Sequence, residues 1–258
     1  MIKAVILGLL WVGLGTLAPL QQAAAQDKAD APAYALEGEY LYKVTTLRAE
    51  HGQFESLLET ITLLQQGDYY KGRPASLIMR HSQGDQWDIM AMLPMGSWAE
   101  YYKPETLAMR AAAVQKNRSL ITRLYNDIAF AEDVFVTGPD YEQLKAAYME
   151  KGLYHIEMFH AVGGKQAQLY KQRQMENNYL ISTGQTPNMI FKRVGGSDVD
   201  VFTIGFHDDF KSFAADAPVS LAQKEKAARA AGFKDRADLS FYLRSLLHSH
   251  HDTFATKP

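Results

Sequence analysis

The chain has 258 residues, with 27 basic and 29 acidic side chains and no cysteine. A near-neutral balance with no basic stripe gives no electrostatic footprint for nucleic acid. The absence of cysteine excludes disulfides, thiolate metal sites and a cysteine nucleophile.

Residues 1–25 read as a signal peptide: Lys3, an apolar run from Ala4 to Leu20, then Ala23-Ala24-Ala25 as a small-residue cleavage site. The expectation is export to the periplasm or beyond, with no membrane attachment after cleavage. Residues 26–38, rich in Ala, Asp and Pro, read as a flexible leader.

From there the elements follow in order. Alternation over 40–48 predicts a strand, and Phe54, Leu57, Leu58, Ile61 and Leu64 line one face of a helix over 50–66. "ASLIMRH" and "WDIMAML" predict two strands joined across "SQGD". A helical region opens at "GSWAEYY" and continues from Pro104, which suits a first turn, to Asn126. "IAFAEDVFV" predicts the closing strand, and 141–151 a connecting helix.

The same series then recurs. "YKVTTLRAEHGQ" (42–53) aligns with "YHIEMFHAVGGK" (154–165), and 73–102 aligns with 186–215 at an offset of 112 or 113. Pro74, Arg80, Asp88 and Trp98 meet Pro187, Arg193, Asp200 and Phe210. The second series predicts a strand at 152–160, a helix at 164–180, a hairpin of 188–194 and 199–206, helices near 208–214, 219–231 and 235–248, and a last strand in "DTFAT". The domain reading is a first unit at 39–138, a helical connector at 139–151 and a second unit at 152–258.

Each unit has the order β-α-β-β-α-β, the ferredoxin-like motif. The fold class is therefore α+β: two tandem ferredoxin-like units packed sheet to sheet as a single-chain α/β barrel. In element order and repetition, over about 38–256, the chain resembles the dimeric α/β-barrel superfamily, which includes antibiotic-biosynthesis monooxygenases, NIPSNAP-like proteins and chlorite-dismutase-like haem proteins. The resemblance implies a pocket for a small, flat ligand, with haem or a divalent metal as the cofactors to consider. Because one chain carries both units, a monomer can be complete, and a homodimer through outer strands or helices stays open.

Two clusters carry candidate chemistry. On "YHIEMFH", alternation sends His155 and Glu157 to one face and His160 to the other. These three are the catalytic candidates by residue type, as proton-transfer groups. In "LHSHHDTF", a helix running through Asp252 would place His248, His251 and Asp252 at i, i+3 and i+4, a metal-ligating set. A helix that ends earlier scatters them. Lys43 and Glu157 are a candidate ion pair between the units, and Arg80/Asp88 with Arg193/Asp200 read as structural pairs of the two hairpins. No G-x-S-x-G, H-E-x-x-H, Walker or G-x-G-x-x-G pattern is present in a suitable context. The competing functions are a small-molecule enzyme of oxidoreductase or monooxygenase type, with its pocket in the second unit, and a non-catalytic binding or scaffold protein.

Overall fold

A computed structural model describes residues 34–258 apart from Gly84. The expected signal peptide (1–25) and most of the expected leader (26–38) lie outside the described residues. Eight antiparallel strands form one closed barrel. They are β1 (Tyr40–Ala49), β2 (Leu77–Gln83), β3 (Ile89–Gly96), β4 (Ile128–Gly138), β5 (Leu153–Ala161), β6 (Met189–Gly196), β7 (Val201–His207) and β8 (Leu247–Thr256). Around the barrel the order is β1-β3-β2-β8-β5-β7-β6-β4, and β4 returns to β1. Each half of the chain thus contributes four neighbouring strands in the sequence fourth, first, third, second. The halves meet where β2 pairs with β8 and where β4 pairs with β6. Closure removes the free edges that two separate sheets would expose.

The barrel interior is filled by Tyr42, Val44, Met79, Met90, Met92, Tyr154, Ile156, Phe191, Phe202 and Ile204, all almost fully buried. Burial of each such side chain is worth about 1.5–3 kcal/mol. The flat Phe191 stacks on Phe202 with ring centroids 4.6 Å apart. Gly138 lies against it so closely that an added Cβ would sit 2.4 Å from Phe191 Cδ1.

The helices are α1 (Phe54–Gln66), α2 (Trp98–Tyr101), α3 (Pro104–Lys116), α4 (Arg118–Asn126), α5 (Tyr141–Glu150), α6 (Gln166–Ser182), α7 (Phe210–Phe213), α8 (Leu221–Ala231) and α9 (Asp238–Leu246). The predicted 104–126 helix breaks at Asn117, which ends α3 and begins α4. On the outer face of the barrel, Leu57 and Ile61 of α1 pack on Leu47, Ile78 and Ile89. In the second half Leu169 of α6 and Leu246 of α9 pack on Phe159, Ile190 and Val201. The connecting helix α5 does something else: Leu144, Ala147 and Tyr148 join the interior cluster and plug the barrel end where β1 and β5 begin. Tyr148 Oη donates to Ile78 O at 2.8 Å and Tyr141 Oη to Ala75 O at 2.9 Å, tying the plug to the segment entering β2.

The hairpin aspartates act alike in both halves. Asp88 accepts from Ala49 N and Asp200 from Ala161 N, each at 2.8 Å, pinning the ends of β1 and β5. Arg193 pairs with Asp200, whereas Arg80 lies over the ring of Phe54 instead. Lys43 and Glu157 do not meet. Lys43 bonds Asp133 of the adjacent β4 at 3.3 Å, and Glu157 faces helix α6, because the seams of the closed barrel run along other strands.

Candidate functional site

Strand β8 begins at Leu247, so "LHSHH" is strand and not the end of α9. Its backbone is taken up by β5, in a register pairing Phe159 with His250, Met158 with His251 and Glu157 with Asp252. The helical spacing that would have united His248, His251 and Asp252 is therefore absent. His251 falls on the interior side beside His160, their ring centroids 5.7 Å apart. Asp252 falls on the outer side with His250, at 3.6 Å, and His248 is exposed where the register shifts. Among the described residues no three His, Asp or Glu side chains are grouped to hold a metal ion. The metal assignment to His248, His251 and Asp252 is corrected accordingly.

The catalytic candidates also divide. Alternation holds: His160 points to the barrel mouth opposite the α5 plug, 3.5 Å from Asp198, while His251 stands 3.7 Å from Asp85. His155 and Glu157 point outward, into a cavity of about 250 Å³ between the barrel and the helices of the second half. Glu176 of α6, His207 of β7, Phe213 of α7 and Asp216 share its lining.

Helix α6 builds the floor. Asn177 Nδ2 donates to Asn188 O at 2.7 Å and Asn177 Oδ1 accepts from Asn188 N at 2.9 Å, fixing the helix to the start of β6. One turn earlier, Arg173 is 2% exposed and lies between two carboxylates. Its Nη1 is 3.5 Å from Glu157 Oε2, and its Nη2 pairs with Glu176. Thr203 Oγ1 donates to Glu157 at 3.0 Å, Gln172 Nε2 donates to Glu176 at 3.3 Å, and Arg173 Nε donates to Gln172 Oε1 at 2.7 Å. The guanidinium also faces the ring of Phe159, 4.6 Å from its centroid.

One cation therefore serves two acids. Burial pushes the Glu157 carboxyl above the usual carboxylate range; Arg173 opposes this and Asp252 adds to it. Burial also raises Glu176, with Arg173 opposing and Glu157 reinforcing. Their side chains are only 15% and 23% exposed, so desolvation outweighs the shared guanidinium.

Beside them, His155 is flanked by Phe213 and Phe254, at 4.9 and 5.1 Å between ring centroids. Burial lowers its pKa against the pull of Asp252 and Glu176. His207 is lowered by burial and by the neighbouring His155. Gly205 makes room here, since an added Cβ would stand 2.6 Å from Asn188 Oδ1 and 2.9 Å from His207 Nε2.

The arrangement can exchange protons: carboxyls whose pKa burial raises stand beside imidazoles whose pKa burial lowers. It does not suit haem or a metal. The cavity is below the usual range of about 300–1,000 Å³ for drug-sized ligands, and both carboxyls are engaged by Arg173. Arg173 and Glu176 were missed in the sequence because polar residues in a helical stretch read as a solvent face, and His207 because it is a lone histidine at the end of a strand. The Arg173–Glu176 spacing of i, i+3 was the signal available.

No family model and no curated protein matches the chain in sequence. Its fold is matched by solved structures. An anthrone oxidase-like protein superposes with a TM-score of 0.56 at 11% identity, covering 86% of this chain and 92% of the other. A protein from Lactobacillus acidophilus NCFM described as a candidate monooxygenase gives 0.50 at 5% identity, covering 85% and 94%. A mutant chlorite dismutase from Candidatus Nitrospira defluvii gives 0.46 at 10% identity, covering 86% and 92%. At such identities the likeness bears on fold alone: the first two of these structures share this chain's antiparallel barrel with helices on its outer face.

Proposed function

We propose that the chain is an exported, small-molecule-binding enzyme of monooxygenase-like type whose second-half cavity performs acid–base chemistry without a bound cofactor. The observation that carries this reading is the Glu157–Arg173–Glu176 cluster facing the same cavity as His155 and His207. His155, held neutral by burial, accepts a proton from an acidic C–H or phenolic O–H of a small aromatic ligand. The Glu157–Glu176 pair, biased toward retaining a proton, holds or returns it. The electron-rich anion so formed is the species that dioxygen, as co-substrate, would oxidise, one oxygen atom entering the ligand and the other leaving as water with the two hydrogens the ligand loses. Phe213, which lines the cavity beside His155, suits a flat ligand.

Two further elements belong to this reading. Export is supported by the signal-like pattern of residues 1–25. Duplication of one ferredoxin-like unit is supported by the paired sequence stretches and by the matching roles of Asp88 and Asp200. A non-catalytic binding or scaffold protein is the second reading, favoured by the internal pairing of Arg173, which a structural ion cluster would also produce.

Dioxygen uptake with anthrone as the probe substrate tests the proposal, the probe being suggested by the anthrone oxidase-like structure. The expected result is uptake above the uncatalysed rate, with kcat falling by roughly 10²–10⁴ in His155→Ala and by a smaller factor in Glu157→Gln. Uptake at the uncatalysed rate overturns the reading in favour of a binding role, and catalysed uptake indifferent to both substitutions overturns the assignment of the site.

A further inference from the structure

The first half has a cavity at the corresponding position, with different chemistry. The loop 72–74, the end of β3 and the residues of α2 line a space of about 280 Å³, as the loop 184–186, His207 and α7 do in the second half. Gly72 and Gly184 have φ of 78° and 71°, and Met95 stands where His207 stands, 112 positions earlier. The imidazoles and carboxyls are replaced by two arginines, Arg73 and Arg110.

Both arginines have donors to spare. Arg73 Nε and Arg110 Nη1 are buried atoms without a hydrogen-bond partner among the described residues. Among those residues neither guanidinium lies within ion-pair distance of a carboxylate. A buried, unsatisfied donor on a charged group costs more than a neutral one, so a site that retains two of them is short of an anion. The existing bonds are modest. Arg73 Nη2 donates to Tyr69 O at 2.8 Å, and Arg110 donates to Tyr101 Oη.

The walls indicate what kind of anion. Arg110 Cζ lies 3.7 Å from the centroid of Tyr101, and Arg73 lies over Tyr69 and Tyr70 at 4.7 and 4.5 Å. Met109, Leu93 and Tyr40 complete an apolar surround. Glu100 also lines the space, but its carboxylate is neutralised by Lys103 at 2.7 Å. We propose that this first-half cavity binds an aromatic carboxylate, its carboxylate held by Arg73 and Arg110 and its ring lodged beside Tyr101. Guanidinium forks match a carboxylate in two-point geometry, which a lysine does not reproduce.

Calorimetric titration of the full chain with benzoate tests this, with benzyl alcohol and inorganic phosphate as the comparison probes. Benzoate is expected to bind and benzyl alcohol not to bind. Arg73→Lys and Arg110→Lys, which keep the charge, should each weaken benzoate about tenfold or more, or about 1.4 kcal/mol. Glu157→Gln, in the other cavity, should leave benzoate affinity unchanged, which separates this proposal from the acid–base reading. No benzoate binding, unchanged binding in both Lys variants, or phosphate binding as tightly as benzoate would each overturn it. Should the variants fail to fold, transferred nuclear Overhauser effects between benzoate and the Tyr101 ring in the unmodified chain decide the matter, and their absence overturns the proposal.

Discussion

Glu157 and Asp252 stand directly opposite each other across the β5–β8 pair, two carboxylates on the outer face of one barrel. Like charges in that position are destabilising unless a proton or a cation intervenes. Arg173 supplies the cation on the Glu157 side and His250, 3.6 Å away, faces Asp252. The site is thus held together by charge balance, and its energetics should depend on pH.

Two opposing arms are expected in the pH dependence of stability. Glu157 and Glu176 have folded pKa values raised above the unfolded range near 4.3, so the folded state binds more protons. Their contribution is fully present below about pH 4 and is lost as pH rises through the raised values. His155 and His207 are depressed below about 6.5, so theirs is present above that pH and lost as it falls. Urea titrations across the range should show Glu157→Gln/Glu176→Gln flattening the first arm and His155→Phe flattening the second.

Removing the shared cation should be costly. Arg173→Met leaves two partly buried carboxylates without their partner, a loss of about 3–5 kcal/mol for a broken buried pair. The loss should be largest above neutrality and shrink toward pH 4, as the two carboxyls with raised pKa take up protons. Denaturant midpoints at the two pH values measure it, and a pH-independent loss would mean that packing of the guanidinium against Phe159 dominates.

The interior depends on one strand's alternation. Phe191→Ala removes a fully buried ring between Tyr42 and Phe202 beside the β4–β6 seam, and should cost about 3–5 kcal/mol. Val194→Ala, three residues along β6 at 48% exposure, should change stability by about 0.5 kcal/mol or less. Thermal unfolding of the two variants provides the comparison.

The terminal histidines should show no metal-dependent stabilisation. Zinc added to the full chain is expected to leave the unfolding midpoint where it was, with His248→Ala and His251→Ala responding identically. A midpoint that rises with zinc and loses that rise in His251→Ala would reinstate a metal site at the barrel mouth.

The amino-acid sequence by itself determined what short-range periodicity encodes. The alternation of β5 put His155 and Glu157 opposite His160, and the apolar spacing of Phe54, Leu57, Ile61 and Leu64 laid α1 against the barrel. These follow from which face of one element is apolar, and a neighbour is not needed to read them. Only the tertiary structure decided the identity of residues 247–251, where "LHSHH" has no clear period and pairing with β5 imposes the strand. It also decided the role of Arg173, because a cation on a helix is buried only when another element brings carboxylates to meet it. The closure of the barrel was decided at the same level: β2 meets β8 and β4 meets β6 through backbone hydrogen bonds, which carry no side-chain signature in either partner.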